Sequence, residues 1–229
     1  EARQRLQNIC PLIKPSDAER FQTSKLENDA EKIPLIRWEM KGFFEQVIET
    51  YEKLVKANGG TPKFKACPFP SIDDHQIAPE EFEETGMLAK DFAKVVMKAL
   101  YGCRYVRFDL LWPVGDCARH TSKWSKAYDR RLEKLIGHIK GTLDHGLEGF
   151  VGDKADECHV LCYCDASFAD ELKTSKSTSG LFIAIVGPST FMPITAFAKK
   201  QGAVSHSSTE SEMISLEEGL RTEALPILT

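Results

Sequence analysis

The sequence predicts a mixed α/β fold, of the α+β kind with a mixed sheet, in which helices come first and a sheet with one covering helix comes last. Two observations carry this. Apolar residues recur at three- and four-residue steps in three stretches before Gly149, the spacing of a helix face. After Gly149 they gather into short runs split by Gly, Pro and Ser, the signature of strands joined by turns. A helix start at Ser207, with Glu210 three residues on, then closes the pattern with a capping box.

Residues 1–30 are polar and nearly free of aromatics, a composition that favours disorder or the remnant of a neighbouring element. From Arg37 to Ala57 the residues Trp38, Phe43, Phe44, Val47, Ile48, Tyr51, Leu54 and Val55 predict an amphipathic helix, ended by Asn58-Gly59-Gly60. Residues 61–86, with Pro62, Pro68, Pro70, Pro79 and the acidic Glu80, Glu81, Glu83 and Glu84, read as a linker. A second helix is expected from Leu88 to Arg107. The run Leu110 to Cys117 is broken by Pro113 and Gly115, and a third helix follows from Ser125 to Ile139. Strands are expected over Val160 to Asp165, Gly180 to Val186 and Thr190 to Ala198, and the last helix turns Met213, Leu216 and Leu220 inward. Three regions result: 1–87, a helix plus linker; 88–150, a helical connection; and 151–229, three strands and a helix.

The composition, 42% hydrophobic and 28% charged, is that of a globular chain. Apolar runs fall far short of the ~20 residues of a membrane span, so no membrane partner is expected, and no secretory signal opens the chain. The start without Met and the end on Leu-Pro-Ile-Leu-Thr read as a fragment of something longer. Seven scattered cysteines favour a reducing, intracellular compartment, cytoplasm or nucleus, over a disulfide scaffold. Residues 88–150 carry 12 Lys and Arg against 7 Asp and Glu, whereas 151–229 carry 6 against 11. A basic middle beside an acidic end suits a nucleic-acid track next to a metal site, and equally suits solvated Lys-rich helix faces.

Asp165 closes the first predicted strand, on the face of Leu161 and Tyr163, with Cys162 and Cys164 on the other. A carboxylate leaving a buried central strand needs a cation or hydrogen bonds. Glu212 lies early in the capped helix. One carboxylate from a strand end and one from a helix form a way to hold hard ions such as Mg²⁺, which activate water for phosphodiester cleavage. An aspartate at a strand end also serves simply as a turn former.

The order of short blocks adds a resemblance. Tyr163-Cys164-Asp165-Ala166-Ser167-Phe168-Ala169, Lys176-Ser177-Thr178-Ser179-Gly180, Gly187-Pro188, Lys199-Lys200-Gln201 and Ser207-Ser208-Thr209-Glu210-Ser211-Glu212 occur in sequence. They resemble the ribonuclease H region of copia-type retrotransposon polyproteins, whose stretches read Tyr-x-Asp-Ala-Asp-Trp-Ala, Lys-Ser-Thr-Ser-Gly, Gly-Pro, Lys-Lys-Gln and Ser-Ser-Thr-Glu-Ala-Glu. With less force, Leu100-Tyr101, Arg107-Phe108-Asp109, Trp124, Arg130-Arg131 and Lys140-Gly141-Thr142 resemble the connection between reverse transcriptase and ribonuclease H in those polyproteins. Residues 43–75 match the polymerase thumb only loosely, and the polymerase's Tyr-x-Asp-Asp is absent from the chain.

The resemblance implies a truncated ribonuclease H-like domain preceded by a helical connection segment. It implies hydrolysis of the RNA strand of RNA–DNA hybrids at a two-Mg²⁺ site, with Asp165 and Glu212 as catalytic metal ligands. Glu210 is the rival of Glu212, better spaced as a capping partner. The family's two remaining carboxylates would lie beyond Thr229, leaving half a site and an exposed sheet edge, so that this chain alone would be inactive. Partners would be the hybrid, tracked by the basic segment 88–150, and the rest of the polyprotein with its reverse transcriptase. The alternative is a degenerate or repurposed fragment that binds nucleic acid or protein without cutting. Ser167 and Phe168 stand where the family has Asp and Trp, and Asp170 where it has Gly.

Other constellations are weaker. Ser177, Thr178 and Ser179 suit either a phosphate contact or the stabilisation of their own turn. Cys158-His159-x-x-Cys162-x-Cys164 lacks a second Cys/His pair, and its thiols read as small buried hydrophobes. His206 with Asp165 and a serine lacks a nucleophile elbow. Trp38, Trp112 and Trp124 suit helix packing better than base stacking.

Overall fold

The computed structural model describes residues 33–170 and 174–228; the polar stretch 1–30 lies outside them. Five strands form one antiparallel sheet: β1 (Leu35–Trp38), β2 (Leu147–Phe150), β3 (His159–Ser167), β4 (Thr178–Gly187) and β5 (Thr190–Lys200), in the order β1-β2-β5-β4-β3. The helices are α1 (Lys41–Ala57), α2 (Phe92–Tyr105), α3 (Leu111–Arg119), α4 (Lys126–Gly141) and α5 (Ser208–Gly219), the last running on through a wide turn at Leu220–Ala224 to Leu225–Leu228. One sheet thus draws strands from all three sequence regions.

Helices α1 to α4 bury their periodic apolar faces in a common core that includes Phe44, Val47, Val95, Val96, Leu110, Val114, Leu132, Leu135 and Ile136. Ala196 and Ala198 of β5 pack against it, so this layer covers one face of the sheet. Asn58 closes α1, its side chain donating to the Leu54 carbonyl at 2.9 Å, and Gly59 takes φ +78°, a conformation open to glycine at little cost. α5 lies on the opposite face, against β3 and β4. Pro193 stands in the interior strand β5 beside Ile194, the extra residue of a bulge opposite Ile183 and Ala184 of β4, the one kind of interior position where a missing N–H is tolerated.

Several expectations need correction. Trp38 belongs to β1, not to the first helix, which begins at Lys41; β1 pairs with β2 more than a hundred residues away, a contact that leaves no local trace. Pro113 does not break its segment: it sits in the first turn of α3, where its missing N–H has no intrahelical partner to lose. The linker 61–86 is packed. The Cys67 carbonyl meets His138 Nδ1 at 3.0 Å, Cys67 Sγ donates to the Lys134 carbonyl at 3.4 Å, and Ile77 is buried. Its acidic residues pair with α4 and the turn before it: Glu81 with Arg130 at 2.5 Å, Glu84 with Lys126 at 2.9 Å, Glu83 with Lys123 at 3.2 Å. Met213, Leu216 and Leu220 do not face the core. Met213 is 61% exposed, and the buried face of α5 is Ser211, Ser215 and Gly219.

Candidate functional site

Asp165 lies on β3, which has a neighbour on one side only and is therefore an edge strand, not the central one expected. Its residue is exposed, so the desolvation cost of a carboxylate at a buried strand exit does not arise here. The cross-strand partners place it in the row Asp165–Gly180–Ala198. Tyr163, two residues earlier, meets Phe182, and Phe182 meets Phe108 of the helical layer edge-on at 6.4 Å between centroids. Alternation along the strand therefore turns Asp165 toward the helical layer and Cys162 and Cys164 toward α5.

The helix is set by local chemistry. Ser207 Oγ accepts from the Glu210 N–H at 3.1 Å, and Glu210 Oε2 accepts from the His206 N–H at 2.6 Å, which spends Glu210 on the cap. Both His206 and Glu210 are helix-start residues. α5 then lies close to the sheet along its length because Ser211, Ser215 and Gly219 carry little side chain. A Cβ built on Gly219 would stand 2.7 Å from Leu181 Cδ1 and 3.1 Å from Cys164 Sγ. Ser215 Oγ donates to the Asp165 carbonyl at 2.8 Å and reaches the Gly180 carbonyl at 3.3 Å, tying helix to strand at the peptide of the candidate aspartate.

Glu212 is exposed, three residues before Ser215 on the same helix. Its charge is felt at Cys164, whose thiol is pushed up to about 12 by burial first, then by its hydrogen bond to Cys162 and the charge of Glu212. The fold thus brings the helix of Glu212 onto the strand of Asp165, with the two side chains leaving from opposite sides of β3. Their donor chemistry, two exposed carboxylates, suits Mg²⁺, which keeps several waters when bound. Among the described residues no group of three or more His, Cys, Asp or Glu is placed to hold a metal ion.

The neighbouring polar groups are used internally. The Ala169 N–H donates to Ser177 Oγ at 3.1 Å, Thr178 Oγ1 donates to Asp170 Oδ2 at 2.7 Å, and Ser179 Oγ accepts from Gln201 Nε2 at 3.0 Å. Those three hydroxyls, all buried, stabilise their own turn and sheet. Gln201 also donates to the Ser211 carbonyl and accepts from Ser205 Oγ, both at 2.8 Å, forming a buried knot between β5 and α5. Sequence reasoning missed Gln201, Ser205, Ser211, Ser215 and Gly219, although the i, i+4, i+8 run of small residues on α5 was visible. The thiols of Cys158, Cys162 and Cys164 are half-buried, not buried as expected. Trp124 does pack, stacked on Phe92 at 3.9 Å with its Nε1 donating to Asp129. Trp38 and Trp112 are exposed.

The basic segment is largely engaged within the chain. Besides the pairs of α4 with Glu81 and Glu84, Arg131 is held between Asp116 and Asp74, and Arg107 is buried, with Nε and Nη2 on Asp109 and Nη1 and Nη2 on Thr142.

No family model matches the chain, and no solved structure is similar to it. It is similar to the uncharacterized mitochondrial protein AtMg00810 of Arabidopsis thaliana, 31% identical over 122 residues. It is also similar to the secreted RxLR effector protein 161 of Plasmopara viticola, 27% identical over 127 residues. The matches cover 53% and 56% of this chain, and 48% and 84% of those relatives. The chain therefore spans about half the length of the Arabidopsis protein. No helix among the described residues is long and apolar enough to cross a membrane.

Proposed function

We propose that the chain derives from a copia-type retrotransposon polyprotein and forms part of its ribonuclease H region. The observation that carries this reading is the clamp of α5 on β3 through Ser215 and the Asp165 carbonyl. It holds Asp165 on an edge strand and Glu212 less than one helical turn from the point of contact. Because nothing described covers the outer side of β3, carboxylates from its two faces can converge past that open edge. Asp165 and Glu212 would hold Mg²⁺, which when bound supplies an activated water and neutralises charge at the scissile phosphate. The chain's own part is positional: Ser207 and Glu210 hold the helix start, and Ser211, Ser215 and Gly219 set its distance from the strand. An A-form-like hybrid would be read by shape and 2′-hydroxyls. The paired state of Lys126, Arg130, Arg131 and Arg107 narrows any phosphate track on 88–150 to the remaining cations.

A second reading, a non-catalytic fold that binds nucleic acid or protein, is favoured by the departure of Asp165 and Glu212 from opposite sides of β3. One experiment separates the two: Mg²⁺-dependent cleavage of a labelled RNA–DNA hybrid by the chain extended past Thr229 along its own coding sequence, with and without Asp165→Asn. Cleavage lost in the variant supports the nuclease; equal cleavage refutes the role of Asp165; hybrid binding without cleavage in both supports the second reading.

A further inference from the structure

On an extended strand, residues two apart stand about 6.6 Å from each other. Cys162 and Cys164 are such a pair, yet their sulfurs lie 3.5 Å apart. Two thiolate corners of a tetrahedral zinc ion, with Zn–S near 2.3 Å, are separated by about 3.8 Å. The two thiols have therefore turned toward each other to nearly the spacing a chelated ion requires. Room for this comes from Gly219 on α5, where any Cβ would crowd Cys164 Sγ at 3.1 Å. Both cysteines are half-buried on an edge strand, reachable from its open side. The other described cysteines offer no such partner: Cys103 and Cys117 are buried in the helical layer, Cys67 is bonded to backbone carbonyls, and Cys158 stands at the far end of β3.

We propose that Cys162 and Cys164 form a dithiol site for a thiophilic d¹⁰ cation of the zinc class. Two S–H bonds break, two sulfur–metal bonds form, both protons pass to solvent, and water or an external ligand fills the remaining corners. The site lies on the α5 side of β3, away from Asp165, and does not depend on the nuclease reading. A bound ion would rest against the Gly219 backbone of α5.

The test is titration of the reduced full chain with Cd²⁺ under a phosphine reductant, followed by the ultraviolet thiolate-to-cadmium band. The expected result is saturation at one equivalent. Cys162→Ser or Cys164→Ser should each weaken binding roughly 100-fold or more, since even outer-shell partners of a metal site account for up to that; Cys158→Ser should leave it unchanged. Equal affinity in either variant, or no band at micromolar Cd²⁺, overturns the proposal. Should the serine variants fail to fold, alkylation of the unaltered chain decides. Joint protection of Cys162 and Cys164 by Cd²⁺ sustains the site, and protection of neither removes it.

Discussion

Gly137→Ala sets two opposite effects of known size against each other. Gly137 lies in the interior of α4, where alanine gains about 1 kcal/mol of helix stability over glycine. The new methyl would stand 2.4 Å from the Lys65 carbonyl oxygen. Ordinary carbon–oxygen contacts run at about 3.3–3.6 Å, so the overlap is about 1 Å. The obstacle is backbone, not the tip of a side chain, and the strand of chain bearing it is fastened to α4 on both sides of the methyl. His138 Nδ1 and Sγ of Cys67 make those bonds. Overpacking costs about 1–3 kcal/mol, and an overlap of about 1 Å on fastened backbone belongs in the upper part of that range, above the gain. Gly42→Ala is the control without the clash, because a Cβ there meets nothing within 4 Å; lying in the first turn of α1, it should stabilise by no more than about 0.5 kcal/mol. Urea denaturation of both variants should show Gly42→Ala at or above the parent and Gly137→Ala below it, separated by about 1–2 kcal/mol. A Gly137→Ala variant as stable as Gly42→Ala would mean that residues 61–73 do not lie on α4, and the packed reading of that segment would fall.

Asp116→Ala should cost about 3 kcal/mol in denaturant melts, because Arg131, its side chain 12% exposed, is left with Asp74 as its one paired carboxylate among the described residues; a loss under about 1 kcal/mol would refute the burial of that charge. Arg131→Met added to it should restore part of the loss. At Asp109, burial pushes the carboxyl upward, but the hydrogen bonds and charge of Arg107, with the charge of His138, more than offset this and hold it below its ordinary value. A depressed carboxyl contributes stability above its unfolded-state value and loses it as pH falls through the folded one. Stability should therefore decline on acidification below about pH 4, and Asp109→Asn should flatten that part of the profile. An unchanged acid limb would discard the pairing. Ser207→Ala removes the cap of α5 and should cost about 1 kcal/mol, read as faster amide exchange over residues 208–212; unchanged exchange would show that the cap does not hold the helix start.

The helices α2 and α4, the strands β3 to β5 and the start of α5 were all legible, because each is specified within a dozen residues by a period, a turn or a capping side chain. Asp165 and Glu212 were legible as residue types on a strand and a helix, though not as a pair in space. What failed locally failed for one reason. β1 exists because β2 exists, and neither four-residue strand carries a pattern of its own. Pro113 reads as a breaker until the start of α3 is known to lie two residues before it. The periodic Met213, Leu216 and Leu220 announced a core face, yet α5 buries Ser211, Ser215 and Gly219, because hydrogen bonds to two sheet carbonyls need the helix axis closer than large side chains allow.

By itself, then, the amino-acid order determined which stretches coil, which extend, where α5 begins and which acidic residues stand near its junction with β3. Tertiary contact alone decided that β3 is an edge, that Lys126, Arg130 and Arg131 of α4 are spent on Glu81, Glu84, Asp74 and Asp116, and that two cysteines with one residue between them share a 3.5 Å gap. The physical reason is range. Backbone propensity and capping act between near neighbours in the chain, whereas charge pairing, strand order and the clearance above a glycine depend on which distant surfaces the burial of the core presses together.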